Sequence, residues 1–63
     1  MKTINTNKAS ELKVGDILVY LATGETTEVT EIMNRSGMVR IYTSRGIKLL
    51  EDTLTRCEIR RVA

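Results

Sequence analysis

The stretch Thr55–Ala63, TRCEIRRVA, gathers the groups of this chain best suited to chemistry: the guanidinium groups of Arg56, Arg60 and Arg61 around the lone thiol of Cys57. Arginine forks match the oxygens of phosphates and carboxylates, so anion recognition comes first. A thiol beside a cation is the second possibility, because a neighbouring positive charge favours the nucleophilic thiolate. Alternation along an extended segment argues against it. It puts Cys57 with Ile59 on the core side, where a free cysteine is a packed and inert thiol. The chain has no histidine. The usual general base for a serine or cysteine nucleophile is therefore missing, and the zinc sets built from cysteine and histidine cannot be assembled. Glu51 and Asp52 are adjacent carboxylates. Without a cleft they suit the capping of a helical turn better than a glycosidase pair. Gly15, Gly24, Gly37 and Gly46 are spaced as turn residues, not as a phosphate-cradling loop. Asn34–Ser36 reads NRS, a glycosylation sequon by chance in a chain with no visible signal peptide.

Size limits what can surround these residues. The 63 residues form one domain, 1–63, in which 1–7 is either flexible or a short extra strand. Such a domain buries only about 60% of the surface its unfolded chain exposes. A core and a deep pocket of roughly 300–1,000 Å³ compete for the same residues, which weighs against most enzymes and against a small-molecule substrate. One cysteine permits no internal disulfide and fits a reducing compartment. MKTINTNKASELK lacks the apolar stretch of a signal peptide. The longest apolar run, ILVYLA, is far short of the roughly 18 residues of a membrane span. The expectation is a cytoplasmic chain with no membrane association, no cofactor and no metal.

The elements follow from periodicity and turn signals. Asn7 is placed to cap a single helical turn over Ala9–Leu12. ILVYLA (Ile17–Ala22) is the first strand, with Ile17, Val19 and Leu21 on one face and Leu18 and Tyr20 on the other. TTEVTEIMN (Thr26–Asn34) is the second. Its apolar Val29 and Ile32 are three apart, so a bulge or bend is expected there. MVRIYT (Met38–Thr43) and IKLL (Ile47–Leu50) are the third and fourth strands. EDTL (Glu51–Leu54) suits a 3₁₀ turn capped by Asp52, and TRCEIRRV is the fifth strand. Short strands with regular glycine turns predict an all-β fold, a small barrel at this length.

Three hairpins, a 3₁₀-like turn at EDTL and a final strand resemble the SH3-like small β-barrel, and LKVGDILVYL looks like the entry strand of several such barrels. The resemblance covers Leu12–Val62 as a pattern. It implies a five-stranded SH3-like barrel with a short helical turn near the N-terminus and a 3₁₀ turn before the last strand. It implies little about activity, because that fold hosts many unrelated functions. The best-known SH3 function is disfavoured: Tyr20 and Tyr42 are the only aromatics, too few to line a groove for proline-rich peptides or to cage a methyl-lysine.

Charge supplies the functional expectation. Up to Asn34 three lysines oppose five carboxylates; from Arg35 onward seven cations, including all six arginines, oppose three carboxylates. If Val39, Ile41, Ile47, Leu49, Cys57 and Ile59 face the core, then Arg40, Tyr42, Lys48, Glu58 and Arg60 face outward. With the last three strands as neighbours they would form one basic face, with Arg35, Arg45, Arg56 and Arg61 at its borders. The favoured expectation is a non-enzymatic nucleic-acid-binding module using Arg40, Tyr42, Lys48, Arg56, Arg60 and Arg61. A plain solvated face with edge protection by charge competes with it. The alternative function is a small protein–protein interaction module, an adaptor or inhibitor of the size phages encode, docking through outward Leu18 and Tyr20 together with Met33 and Met38, or through an open strand edge.

Overall fold

The computed structural model describes residues 1–46 and 48–62. Six strands are found: β1 (Lys2–Ile4), β2 (Ile17–Tyr20), β3 (Thr26–Arg35), β4 (Met38–Thr43), β5 (Lys48–Leu50) and β6 (Cys57–Arg61). A first 3₁₀ turn spans Ala9–Glu11 and a second spans Glu51–Arg56. The all-β expectation therefore holds, whereas the closed five-stranded barrel does not. The strands form one antiparallel sheet in the order β1-β6-β2-β3-β4-β5, with β1 and β5 left as edges. The sixth strand is β1, which pairs with β6 from Lys2↔Arg61 to Ile4↔Ile59.

The sheet bends at β3. Thr26–Glu28 pair with β2, Glu31–Arg35 pair with β4, and the register shifts between Val29 and Glu31. This is the irregularity that the Val29–Ile32 spacing predicts. An extra residue in one strand bends it and increases its twist. Here the bend is held from both sides. Gly15 N–H donates to the Val29 carbonyl and Val29 N–H to the Asp16 carbonyl, both at 2.8 Å, while Ser44 N–H donates to the Glu28 carbonyl at 2.8 Å. Gly15 has a φ of 98°, a conformation that costs a Cβ-bearing residue energy.

Folded over in this way, the two halves of the sheet share one core. It comprises Leu18, Val29, Ile41 and Ile59 from the strands with Ala9, Leu12 and Leu54 from around the two 3₁₀ turns. Val39, Leu49 and Cys57 are half-buried against it, as their alternation predicts. The expected core position Ile47 lies outside the described residues. Each fully buried aliphatic side chain contributes about 1.5–3 kcal/mol.

Three local expectations change. Leu18 is not outward: it is fully buried. In ILVYLA both parities are apolar, so alternation could not say which face turns inward. The 3₁₀ turns are not capped by Asn7 and Asp52; their N-cap residues are Lys8 and Leu50, and neither makes a side-chain cap. Glu51 instead reaches across the chain to accept from Ala9 N–H at 2.7 Å. Thr6 Oγ1 accepts from Lys8 N–H at 3.0 Å and hydrogen-bonds Glu11. Finally, the second 3₁₀ turn extends to Arg56, so the last strand begins at Cys57 and not at Thr55.

Candidate nucleic-acid interface

The β3–β4 hairpin builds the densest group of cations. Its turn is Ser36–Gly37, with φ of 51° and 79°. Positive φ at both central residues marks the type I′ hairpin turn, whose twist suits the flanking strands. That turn sets the register: Arg35 faces Met38, Met33 faces Arg40, and Glu31 faces Tyr42. On the other side of β4, Arg40 faces Leu50 and Tyr42 faces Lys48. Residues directly opposite in an antiparallel pair lie on one face of the sheet. The outer face of β3–β5 thus carries Arg35, Arg40 and Lys48 around Tyr42, with Glu31 as its one carboxylate in these pairs. Met33, Arg35, Met38, Arg40 and Tyr42 line a shallow depression of about 150 Å³ there.

Ion pairing separates Arg35, Arg40 and Arg56 from the other three arginines. Arg45 Nη1 is 2.6 Å from Glu25 Oε2, and Arg60 Nη2 is 2.8 Å from Glu58 Oε2. Arg61 donates from Nε and Nη2 to the two carboxylate oxygens of Asp16, both at 2.8 Å, and from Nη2 to the Glu11 carbonyl at 2.9 Å. Among the described residues, Arg35, Arg40, Lys48 and Arg56 enter no salt bridge.

The expected basic face is therefore divided. Arg40, Tyr42 and Lys48 come together, but Arg60 does not join them. β6 returns to pair with β2 and β1, and β2 and β3 lie between it and β4 in the sheet. Arg60 has Ile17 and Thr3 as cross-strand neighbours. Arg56 lies at the end of the second 3₁₀ turn, on the rim of a cleft. Arg61 is a structural residue. Asp16 is buried, accepts also from Lys13 N–H at 2.8 Å, and holds the guanidinium in a two-pronged grip. The Arg61 hydrogen bonds, more than offsetting burial, lower the Asp16 pKa. Such a bidentate pair is geometrically specific and leaves little of the fork for a ligand.

Sequence reasoning named Met33 and Met38 for a docking surface but did not place them beside the arginines, and it missed Leu50. Reading Ser36–Gly37 as a two-residue turn would have placed the two methionines, since loop length sets hairpin register. Of the docking pair, Leu18 is withdrawn into the core, and Tyr20 is half-buried at the cleft. The cleft has a volume of about 380 Å³ and lies between surface turns, so the size argument against a pocket beside the core does not apply to it. Burial, the largest cause, raises the pKa of the Cys57 thiol, with the charge of Arg56 opposing it. That is the inert side of thiol chemistry.

Among the described residues no group of three or more histidine, cysteine or carboxylate side chains could hold a metal ion, and no helix is long and apolar enough to cross a membrane. No family model matches the chain. No curated protein matches it. No solved structure matches it.

Proposed function

We propose that this chain is a non-enzymatic module that binds nucleic acid through the outer face of β3–β5. The observation that carries this reading is the set of three cations that enter no salt bridge among the described residues, Arg35, Arg40 and Lys48, around half-buried Tyr42. Guanidinium and ammonium groups take phosphates, and one tyrosine ring offers one stacking surface. We read the succession of hairpins, 3₁₀ turn and final strand as an open variant of the SH3-like arrangement, a statement about topology that carries no activity. The free thiol of Cys57 suits a reducing cytoplasmic setting.

Three phosphate contacts give a log–log salt slope of about −2.7, so affinity falls about 40-fold between 50 and 200 mM salt. Fluorescence anisotropy of labelled duplex DNA, single-stranded DNA and RNA at those two salt concentrations tests this. Salt-sensitive binding that Arg40→Glu abolishes and Arg60→Glu largely spares supports the β3–β5 face. No binding at 50 mM salt rejects nucleic acid.

A second reading rests on a different observation. Met38 is 56% exposed and Leu50 is 50% exposed, and both flank the arginines on this face. Methionine, tyrosine and arginine are enriched where proteins meet. A protein partner would be lost on Leu50→Asp and would respond weakly to salt.

A further inference from the structure

The cleft beside Tyr20 is independent of the β3–β5 face. It opens among the β2–β3 turn, the β4–β5 turn and the end of the second 3₁₀ turn, and is lined chiefly by Tyr20, Glu25, Thr27, Thr43, Arg45 and Arg56. Thr27 and Thr43 are buried, so their side chains belong to the floor; Tyr20 is half-buried. The volume of about 380 Å³ falls at the small end of the roughly 300–1,000 Å³ of ligand sites. Most of the exposed lining is apolar, the ordinary character of a small-molecule site in which a few polar groups fix orientation.

The charges at the cleft are unequal in availability. Glu25 and Arg45 neutralise one another at 2.6 Å. Arg56 has no salt-bridge partner among the described residues. Its backbone is held at the rim, because Leu21 N–H donates to the Arg56 carbonyl at 3.0 Å. The cleft therefore presents one uncompensated positive charge over an apolar, partly aromatic wall. Burial, the largest cause, raises the pKa of the Tyr20 phenol, so at neutral pH it is an uncharged O–H donor and adds no repulsion to an anion.

We propose that this cleft binds a small organic anion, a flat apolar body carrying one oxyanion group, to which the Arg56 guanidinium donates while the body lies against Tyr20. A guanidinium fork donates to a carboxylate or a phosphate ester in the same geometry. The oxyanion is the shared chemistry, and probes of both kinds separate the two. Inorganic phosphate supplies charge without an apolar body, and a neutral amide supplies the body without charge; each should bind worse than the combination.

The test is a two-dimensional ¹H–¹⁵N NMR titration of the intact chain with benzoate, phenyl phosphate, benzamide and inorganic phosphate. Benzoate or phenyl phosphate, whichever is the better oxyanion, should give saturable shifts at Tyr20, Thr27, Thr43 and Arg56, with a Kd on the order of 1 mM for so few heavy atoms. Benzamide and inorganic phosphate should bind about tenfold more weakly or not at all, and Arg56→Gln should cost about tenfold, the value of one charge-assisted hydrogen bond. Glu25→Gln releases Arg45 and should strengthen binding of the more highly charged phenyl phosphate more than that of benzoate. Both substitutions are at exposed residues, and the same spectra report whether each variant is folded. Three outcomes overturn the proposal: no saturable shift with either anion up to about 10 mM, equal response to benzamide, or unchanged affinity in Arg56→Gln. Shifts confined to Arg40, Tyr42 and Lys48 overturn it as well, since they would place the anion on the opposite candidate face. Loss of nucleic-acid binding by Arg40→Glu leaves this result untouched, so the two readings fail separately.

Discussion

Asp16→Asn is the sharpest test of how this domain is held together. The Asp16 carboxylate is buried and accepts three hydrogen bonds: one from Lys13 N–H and two from the Arg61 guanidinium. Asparagine keeps one acceptor oxygen and turns an N–H₂ group toward the site of another donor. A buried hydrogen bond to a charged group contributes about 1.5–3 kcal/mol. Arg61 reaches solvent, with 22% of its side chain exposed, so solvent screens the pair and the lower part of a buried-pair range applies. The expected loss is about 2–3 kcal/mol. A chain of 63 residues has a total stability of about 3–9 kcal/mol at 0.05–0.15 kcal/mol per residue. With a urea m-value of about 1 kcal/mol/M for a domain this small, the midpoint should fall by about 2–3 M. Circular dichroism across a urea gradient at pH 7 reads this directly. The pH dependence gives a second readout. The Asp16 pKa is lowered in the folded state, so its stabilisation is full above the ordinary value of about 3.9 and is lost as pH falls through the lower folded value. The gap between wild type and Asp16→Asn should be full above the ordinary carboxyl value and narrow as pH falls below it. A midpoint shift under about 0.5 M, or a gap independent of pH, would refute the role assigned to the pair.

Other expectations are quickly checked. Leu18→Ala removes a fully buried side chain and should cost about 2–5 kcal/mol, leaving the domain marginal or unfolded in thermal melts; an outward Leu18 would cost almost nothing. Ser36→Asn gives the turn the residue that best tolerates its φ of 51° and should raise the urea midpoint by a few tenths of a molar or more. Arg40→Gln should make the nucleic-acid salt slope shallower by about 0.9, whereas Arg61→Gln should lower stability and leave the slope of the folded fraction unchanged. Cys57, half-buried and with a raised pKa, should react with iodoacetamide more slowly at pH 8 than a cysteine in a denatured control.

β2, β3 and β4 were legible because each is bounded by glycine turns and carries β-branched residues, and even the bend in β3 showed as a break in alternation between Val29 and Ile32. Strand order was not. A single sequence says where a strand begins and not which edge it joins, so TRCEIRRV could not reveal that Arg60 would face Ile17 and Thr3. The same limit hid Arg61: its partner Asp16 is 45 residues away, and a terminal arginine beside another arginine reads as surface charge. Leu18 failed for a local reason, an all-apolar run in which neither parity is marked as the inner one. Arg40, Tyr42 and Lys48 could be put on one face because polar and apolar residues alternate in MVRIYT and the facing strand is joined by a short turn.

The pairing of β1 with β6 places Lys2 opposite Arg61, so the first and last strands run side by side and the backbone between them is nearly a ring. A few added residues could join them, which makes the domain a natural candidate for circular permutation. New ends opened at Ser36–Gly37, an exposed turn between strands, would turn the present edge-to-centre contact of β1 and β6 into a local hairpin and break the hairpin that is now local. Because closing a long loop before its contacts reward it slows folding, the permuted chain should assemble through the β1–β6–β2 half first.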